Sequence, residues 1–298
     1  MNAIEIRNLT KNFGQKKALC GLNMTVPVGA IYGFIGENGS GKSTTEKLIC
    51  GLIRPSAGTI KLFGRDHTDG DVRARMGVLI ESPGCFPNYT VWNNMMLQAK
   101  NLGIRNAEQE VVKVLKLVRM EGASSNKYKN CSLGMKQRIG IAMALLGNPT
   151  LLVLDEPING LDADGIRIMR EVLTDIAGSG TTVIISSHIL GELEKIATHY
   201  GIIRSGKMIR EMTADELNAD CRTYIALQTR DMARTKVLLA CKYSRVEEDE
   251  NGYIRVYDAV SPEELVTYLY ENEIPVSEIK TDKIGLEEYY TDLMKEGR

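Results

Sequence analysis

A glycine-rich segment early in the chain has the residue types and the spacing that bind phosphate. Residues Gly36 to Ser43 read GENGSGKS and fit the pattern G-x-x-x-x-G-K-[ST]. The glycines of this pattern let backbone N–H groups turn toward phosphate oxygens, its lysine reaches the β and γ oxygens, and its hydroxyl ligates Mg²⁺. We therefore predict a site for a nucleoside triphosphate, with Ser43 as a metal ligand. The predicted phosphate-binding residues are Gly36, Glu37, Asn38, Gly39, Ser40, Gly41, Lys42, Ser43 and Thr44.

Two adjacent carboxylates follow much later in the chain. Leu151 to Glu156 is a short apolar run that ends in Asp155 and Glu156. Asp155 is suited to the Mg²⁺ shell, and Glu156 can polarise an attacking water as a general base. The competing interpretation is that Glu156 is an ordinary acid at the end of a strand. Beside a triphosphate, a carboxylate must be compensated by metal or take part in the chemistry, which favours the catalytic role.

Both groups require a sheet whose strands end at a common edge. Ala30 to Ile35 is apolar and precedes the glycine-rich segment, a helix can begin at Lys42, and Leu151 to Asp155 reads as another buried strand. The carboxyl ends of parallel strands lie at one edge of a sheet, so this arrangement brings the phosphate loop and the carboxylates together. We predict an α/β fold with a parallel core.

The segment Cys131 to Arg138 (CSLGMKQR) carries a serine and a glycine at the start of a predicted helix, which can form an anion site. Given the order of the motifs along the chain, this segment resembles the L-S-G-G-Q signature of the ATP-binding subunits of ABC transporters. Leu133 and Met135 depart from that signature but leave its hydroxyl and backbone groups in place. The matching residues are Ser132, Gly134, Gln137 and Arg138.

The resemblance extends over the larger, amino-terminal part of the chain and implies further site residues. Phe13 matches the aromatic residue that stacks on adenine, which makes ATP the implied nucleotide. Asp162 lies in a segment similar to the D-loop, which links the two sites of a dimer. His188 matches the switch histidine that contacts the γ-phosphate, although a lone histidine after a strand is more often structural.

The family also implies an architecture and a mechanism. Its members are P-loop NTPases with a parallel α/β core, an antiparallel β subdomain and a helical subdomain. Two chains face head to tail, and each ATP is closed by the partner's copies of Ser132 and Gly134. ATP binding draws the chains together, and hydrolysis lets them part.

One departure from the family changes the local charge. Glu81 follows the apolar strand Met76 to Ile80, at the position of the family's Q-loop glutamine. A carboxylate there repels the triphosphate unless a metal or a cation offsets it, so we expect Glu81 to ligate the metal or to be protonated. Together with the SLGMKQR form of the signature, this glutamate resembles the bacitracin-resistance and lantibiotic-immunity branch. That resemblance implies a peptide antibiotic or another amphiphile as cargo.

A second departure is Glu46, in the helix after the phosphate loop, where the family usually has an apolar residue. Leu48, Ile49 and Leu52 nearby read as core positions. We therefore expect Glu46 to point to solvent or to pair with a cation.

The helical stretch from about Val91 to Met120 is predicted to form a subdomain. In the family, the surface near Glu81, Phe86 and Trp92 receives the coupling helix of the membrane subunit. Trp92 and Tyr89 are equally compatible with positions in the core.

Composition and charge limit the possible partners. The chain has 298 residues, 43% of them hydrophobic, and its 37 basic and 38 acidic residues give no basic excess that would indicate nucleic acid. No apolar stretch has transmembrane length, and the first residues lack a signal-peptide pattern. The six cysteines have no metal-site spacing and read as free intracellular thiols. We expect a cytoplasmic protein, peripheral on the inner face of the membrane through a separate permease, with an identical or different second ATPase subunit.

We predict two domains, with a boundary near Asn218 to Arg222. Residues 1–218 form the ATP-binding domain, with its helical subdomain at about 88–148, and residues 219–298 form a small accessory α+β domain. The order β-α-β-β-α-β, typical of a ferredoxin-like fold, is predicted there, with a closing helix. The predicted elements are strand Thr223 to Leu227, helix Met232 to Ala240, strands Ser244 to Glu248 and Tyr253 to Tyr257 joined through Glu250 to Gly252, helix Pro262 to Glu271, strand Val276 to Lys280 and helix Leu286 to Lys295.

The leading interpretation is the ATP-hydrolysing subunit of an export system. The alternative is a soluble ABC ATPase that acts in DNA repair, chromosome structure or translation. Only 90 residues separate Lys42 from Ser132, which leaves no room for a long coiled-coil insertion, and the chain has one phosphate loop where translation-factor relatives have two. A P-loop kinase is a third possibility, but it would leave His188 and the signature segment without a role.

Overall fold

A computed structural model describes residues 1–221, 223–249, 251–257 and 261–296. The chain divides into two compact units, Met1–Ala214 and Asp215–Arg298. The strands are β1 Asn2–Phe13, β2 Lys16–Pro27, β3 Ile31–Ile35, β4 Ala57–Leu62, β5 Arg65–Asp66, β6 Met76–Leu79, β7 Leu151–Asp155, β8 Thr182–Ser186, β9 His199–Arg204, β10 Lys207–Thr213, β11 Thr223–Thr229, β12 Val246–Glu248, β13 Ile254–Val256 and β14 Val276–Lys283. The helices are α1 Lys42–Ile49, α2 Gly70–Arg73, α3 Val91–Asn101, α4 Ala107–Leu117, α5 Leu133–Leu145, α6 Ala163–Gly178, α7 Leu190–Leu193, α8 Ala214–Asp220, α9 Met232–Lys242, α10 Pro262–Glu271 and α11 Leu286–Glu296.

The centre of the amino-terminal unit is a sheet of order β10-β9-β3-β8-β7-β6. All of these strands except β10 run parallel to their neighbours. Strands β3, β7 and β8 are buried along nearly their whole length, as expected for strands covered on both faces. Their carboxyl ends lie at one edge of the sheet, and the predicted parallel α/β core is confirmed.

A second sheet, of order β2-β1-β4-β5, is antiparallel. In β1, Ile4 and Ile6 are buried, and a shift of register between Ile6 and Leu9 places Leu9 rather than Asn8 in the core. Asn8 takes up the extra length with a φ of 49°. The predicted antiparallel subdomain is confirmed, and it carries Phe13 at the end of β1.

The predicted helical stretch from Val91 to Met120 is divided into α3 and α4. Helix α3 begins where the hydroxyl of Thr90 accepts a hydrogen bond from Asn93 N at 3.0 Å. Within the described ranges, every helix is too short or too polar to cross a membrane.

A glycine in β6 permits close packing against α5. A Cβ atom at Gly77 would overlap the carbonyl oxygen of Ala144. We expect Gly77→Ala to lower the free energy of unfolding by about 1–3 kcal/mol, because neither backbone can yield easily. Urea unfolding followed by the fluorescence of Trp92, the only tryptophan in the sequence, measures this unit.

Gly178→Ala is the matched control for this change. A Cβ atom there meets nothing within 4 Å, and Gly178 is the last residue of α6. Alanine at a helical position is expected to be neutral or to stabilise by up to about 1 kcal/mol. Equal urea midpoints of unfolding for Gly77→Ala and Gly178→Ala would show that β6 and α5 are less tightly packed than described.

The carboxy-terminal unit contains a sheet of order β12-β13-β11-β14, antiparallel throughout its described strands. Its apolar core includes Leu227, Leu239, Ile254 and Leu265. The predicted order β-α-β-β-α-β followed by a helix is confirmed in the described residues. Glu250 of the predicted hairpin turn and Arg222 of the predicted boundary lie outside them. The boundaries of the two functional domains remain a prediction.

Candidate active site

The phosphate loop connects β3 to α1 through backbone that only glycine adopts easily. Gly41 has a φ of 115° immediately before α1, and a Cβ atom at Gly36 would lie 2.5 Å from the carbonyl oxygen of Ile203. Lys42 is buried, and its ammonium donates hydrogen bonds to the carbonyl oxygens of Gly36 at 2.6 Å and Glu37 at 3.3 Å. The loop therefore curls around the lysine and leaves its backbone N–H groups at the helix amino terminus available to an anion.

A cavity of about 750 Å³ opens beside this loop. It joins the predicted phosphate loop, both predicted carboxylates and the predicted adenine-stacking ring. Its lining residues are Phe13, Lys16, Lys17, Ala18, Asn38, Gly39, Gly41, Lys42, Ser43, Thr44, Asp155, Glu156 and Ser205. Such a cavity has the size of a typical nucleotide or drug site.

The ring of Phe13 is half exposed at this cavity. Its exposed fraction is 51%, and the ammonium of Lys11 lies 5.0 Å from the ring centroid. An exposed aromatic face bordered by cations suits a heterocyclic base that carries phosphates. Lys16 and Lys17, in the hairpin after Phe13, were not among the predicted site residues, although a lysine pair next to Phe13 is a visible signal in the sequence.

Asp155 and Glu156, at the end of β7, are held by residues of the neighbouring strand β8 and of the loop that follows it. Ser186 Oγ donates a hydrogen bond to Asp155 Oδ1 at 2.8 Å, and Glu156 N donates to the carbonyl oxygen of Ser186 at 3.1 Å. His188 Nδ1 lies 2.8 Å from Glu156 Oε2. The structure therefore brings Asp155, Glu156 and His188 together. Ser186 contacts both acids and was not among the predicted site residues.

A family model described as "ABC transporter" matches residues 19–159 of this chain. The bacitracin transport ATP-binding protein BcrA of Bacillus licheniformis is 38% identical over 99% of this chain and 98% of its own length. The lantibiotic transport ATP-binding protein SrtF of Streptococcus pyogenes is 40% identical over 71% of this chain and 91% of its own length. The chain belongs to the ABC transporter family.

Solved structures agree with this assignment. An ATP-binding subunit of an ABC transporter superposes with a TM-score of 0.66 at 29% identity, over 73% of this chain and 92% of the solved one. As an ABC transporter ATP-binding subunit, the chain binds nucleotide and hydrolyses ATP. The relatives named here give no support to the alternative of an ATPase in DNA repair or translation.

Eight predicted site residues of this ABC ATPase lie outside the cavity lining: Gly36, Glu37, Ser40, Glu81, Ser132, Gly134, Asp162 and His188. The Ser132 hydroxyl accepts a hydrogen bond from Met135 N at 3.2 Å and so begins α5, and Gly134 lies in the first turn of that helix. Asp162 begins α6 in the same way, with its carboxylate 2.9 Å from Gly165 N. None of Ser132, Gly134 and Asp162 lines the cavity around Lys42.

Glu81 also lies outside the cavity lining, where it pairs with a cation. Its Oε1 lies 2.8 Å from Lys47 Nζ. The hydrogen bond and charge of Lys47 lower the pKa of Glu81 below its ordinary value, so the expectation of a protonated Glu81 is wrong. A cation offsets this charge, and Lys47 was not among the predicted site residues.

Glu46 contradicts its expectation as well, because it is fully buried in α1. Neither of its carboxyl oxygens has a hydrogen-bonding partner, since the nearby Ser186 hydroxyl donates to Asp155 and the Lys42 ammonium donates to carbonyl oxygens. Burial and then the negative charge of Asp155 raise the pKa of Glu46 to about 8. Glu46 is therefore mainly uncharged at neutral pH, and it neither faces solvent nor forms an ion pair.

Proposed function

We propose that this ATPase powers export of, or resistance to, peptide antibiotics or similar amphiphiles through a separate membrane permease. The observation that carries the proposal is the 38% identity to a bacitracin transport ATP-binding protein over 99% of the chain. Such similarity includes the carboxy-terminal unit as well as the ATPase unit. Glu81 at the Q-loop position supports the same branch.

ATP is proposed to bind with its base against Phe13 and its phosphates in the loop from Gly36 to Thr44. Phe13 and Lys42 line the same cavity, so one nucleotide can reach both. The Lys42 ammonium neutralises phosphate charge, and the α1 amino terminus adds backbone donors.

Ser43 and Asp155 are the proposed Mg²⁺ ligands within this cavity. Both offer oxygen atoms, and Mg²⁺ is usually held by one or two carboxylates and substrate phosphates rather than by a cage of protein side chains. Accordingly, the described residues include no group of three or more His, Cys, Asp or Glu side chains that could hold a metal alone. When bound, the ion would neutralise charge on the phosphates. Ser186 fixes the Asp155 carboxylate for this role.

Glu156 is the proposed general base. Its carboxylate lines the cavity and can accept a proton from a water that attacks the γ-phosphate. His188, whose Nδ1 lies 2.8 Å from Glu156 Oε2, orients that carboxylate and can donate to a phosphoryl oxygen through its other nitrogen. The backbone bond from Glu156 to Ser186 keeps the base at the sheet edge.

A second ATPase chain is proposed to complete each site. Ser132 and Gly134 lie at the amino terminus of α5, outside their own chain's cavity, and Leu133 between them is 51% exposed. A head-to-tail partner could present this exposed helix end to ATP, because backbone donors and a hydroxyl bind phosphate. Asp162 would lie near the same interface.

The proposed permease contact is the surface around Phe86 and Tyr89. These rings are 52% and 48% exposed, and their centroids are 5.2 Å apart, whereas Trp92 is half buried. An exposed aromatic pair suits a hydrophobic anchor of a partner helix.

A resistance assay tests this function in cells that express the chain with its permease. We expect wild-type cells to tolerate more bacitracin or lantibiotic than cells with Lys42→Ala, because the variant lacks the phosphate-binding ammonium. Exposed Lys100→Met is the matched control and should protect like the wild type. Equal sensitivity of wild-type and Lys42→Ala cells to both classes of peptide would refute the proposed cargo.

A further inference from the structure

Glu81 and Glu156 occupy equivalent positions on neighbouring strands. Strands β6 and β7 are parallel, and Leu79 of β6 pairs with Leu154 of β7. Glu81 is the second residue after Leu79, and Glu156 is the second residue after Leu154. Both glutamates have left-handed backbone, with φ of 66° and 49°. Glutamate seldom adopts this conformation. The backbone is therefore left-handed at the same register position after both strands, and both glutamates follow strands that end at the catalytic edge.

The two carboxylates differ in partner and in exposure. Glu156 contacts His188, whereas Glu81 contacts Lys47 of α1, the helix that the phosphate loop begins. The Glu81 side chain is 71% exposed and that of Glu156 is 23% exposed. Lys47 thus links α1, whose amino terminus follows the phosphate loop, to the loop after β6.

We propose that Lys47 is a positioning residue for Glu81, which it holds outside the phosphate cavity until nucleotide binds. Hydrolysis then requires Glu81 to leave Lys47 and turn toward the water that attacks the γ-phosphate. The inference rests on the proposed function, because it takes the edge of β6 and β7 as the site of hydrolysis. Glu81 adds a negative charge that a glutamine at this position would not carry. Lys47 offsets this charge, so that ATP can approach the site.

An ion pair between a partly exposed lysine and an exposed glutamate is suited to such a reversible contact. Exposed ion pairs are weak, and the ammonium is a point charge on a flexible stem, so the pair can break when the attacking water or the Mg²⁺ that accompanies ATP offers Glu81 another contact. A buried pair in the same place would resist opening, because each separated charge would lose its only compensation.

A double-mutant cycle with the full chain tests this role. Lys47→Met is made with Glu81 present and with Glu81→Gln. The readouts are phosphate release at saturating ATP with Mg²⁺, and equilibrium binding of a fluorescent ATP analogue in EDTA. With Glu81 present, we expect Lys47→Met to raise kcat about two- to fivefold and to weaken analogue binding by a similar factor. With Glu81→Gln, Lys47→Met should change neither quantity.

Two further variants separate charge from structure. Lys47→Arg keeps a cation and should behave as the wild type, while Lys47→Gln should repeat Lys47→Met if the methionine variant folds poorly. Equal effects of Lys47→Met in both backgrounds, or a lower kcat of Lys47→Met with Glu81 present, would overturn the proposed role of Lys47. Either result would leave the hydrolytic function of the chain intact. A wild-type chain that binds the analogue but does not hydrolyse ATP would overturn the hydrolytic function and this inference with it.

Discussion

Glu156→Gln is expected to stop ATP turnover while ATP binding persists. Glutamine preserves the shape of the side chain but cannot accept the proton of the attacking water. Because general base catalysis typically contributes 10²- to 10⁴-fold, kcat should fall by about that factor. The Asp155 carboxylate and the phosphate loop are unchanged, so the affinity for ATP should remain close to that of the wild type.

Phosphate release, nucleotide binding and size exclusion test this expectation together. The variant should accumulate an ATP-dependent dimer, because the contacts that ATP makes are not lost by hydrolysis. Glu108→Gln, an exposed acid in the first turn of α4, is the control and should leave all three measurements unchanged. Normal hydrolysis by Glu156→Gln would remove this residue from the role of base.

The free energy of unfolding should fall as the pH rises from about 4.5 to about 8, and Glu46 is the cause. Its pKa is 4.5 in an ordinary environment and about 8 in the folded chain, so the folded state binds more protons than the unfolded state throughout this interval. The stabilisation is complete below 4.5 and is lost as the pH passes through about 8. The expected slope is about 1.4 kcal/mol per pH unit, which makes this one of the larger effects on stability.

Glu46→Gln should remove most of this slope, because an amide does not titrate. Urea unfolding at pH 5, 6.5 and 8, followed by Trp92 fluorescence, measures the difference between the variant and the wild type. Glu108→Gln should retain the wild-type slope. Asp66 and Glu171, whose pKa values are lowered, titrate below this interval and so do not contribute to it. Parallel pH profiles for Glu46→Gln and the wild type would show that Glu46 is not protonated in the folded chain.

Local sequence patterns were sufficient to predict the parts of the site that depend on neighbouring residues. The phosphate loop is a continuous segment, and Asp155 and Glu156 follow a strand whose apolar run is visible in the sequence. The order of elements in the carboxy-terminal unit could likewise be predicted, because each strand and helix has its own hydrophobic period.

The charge partners could not be predicted, because they depend on which surfaces meet in three dimensions. Lys47 and Glu81 are far apart in sequence and become neighbours only when the fold brings α1 close to the loop after β6. Glu46 follows polar residues and lies on a short helix, so its sequence gave no sign that the helix buries it beside Asp155. A buried, unpartnered carboxyl group also violates the usual rule for polar groups, which is why the expectation for Glu46 was wrong.

Close packing at Gly77 couples helix α5 to strand β6 and to the loop that carries Glu81. The backbone of α5 lies directly against β6 because Gly77 has no side chain, and Gly140 on the same helix leaves room for Leu79 and Pro83 on either side of Glu81. Helix α5 begins at Ser132. If the proposed second ATPase chain engages Ser132, a tilt of α5 would therefore displace the backbone on either side of Glu81. Binding of the second chain would in this way alter the nucleotide site through steric contact, without any change of charge.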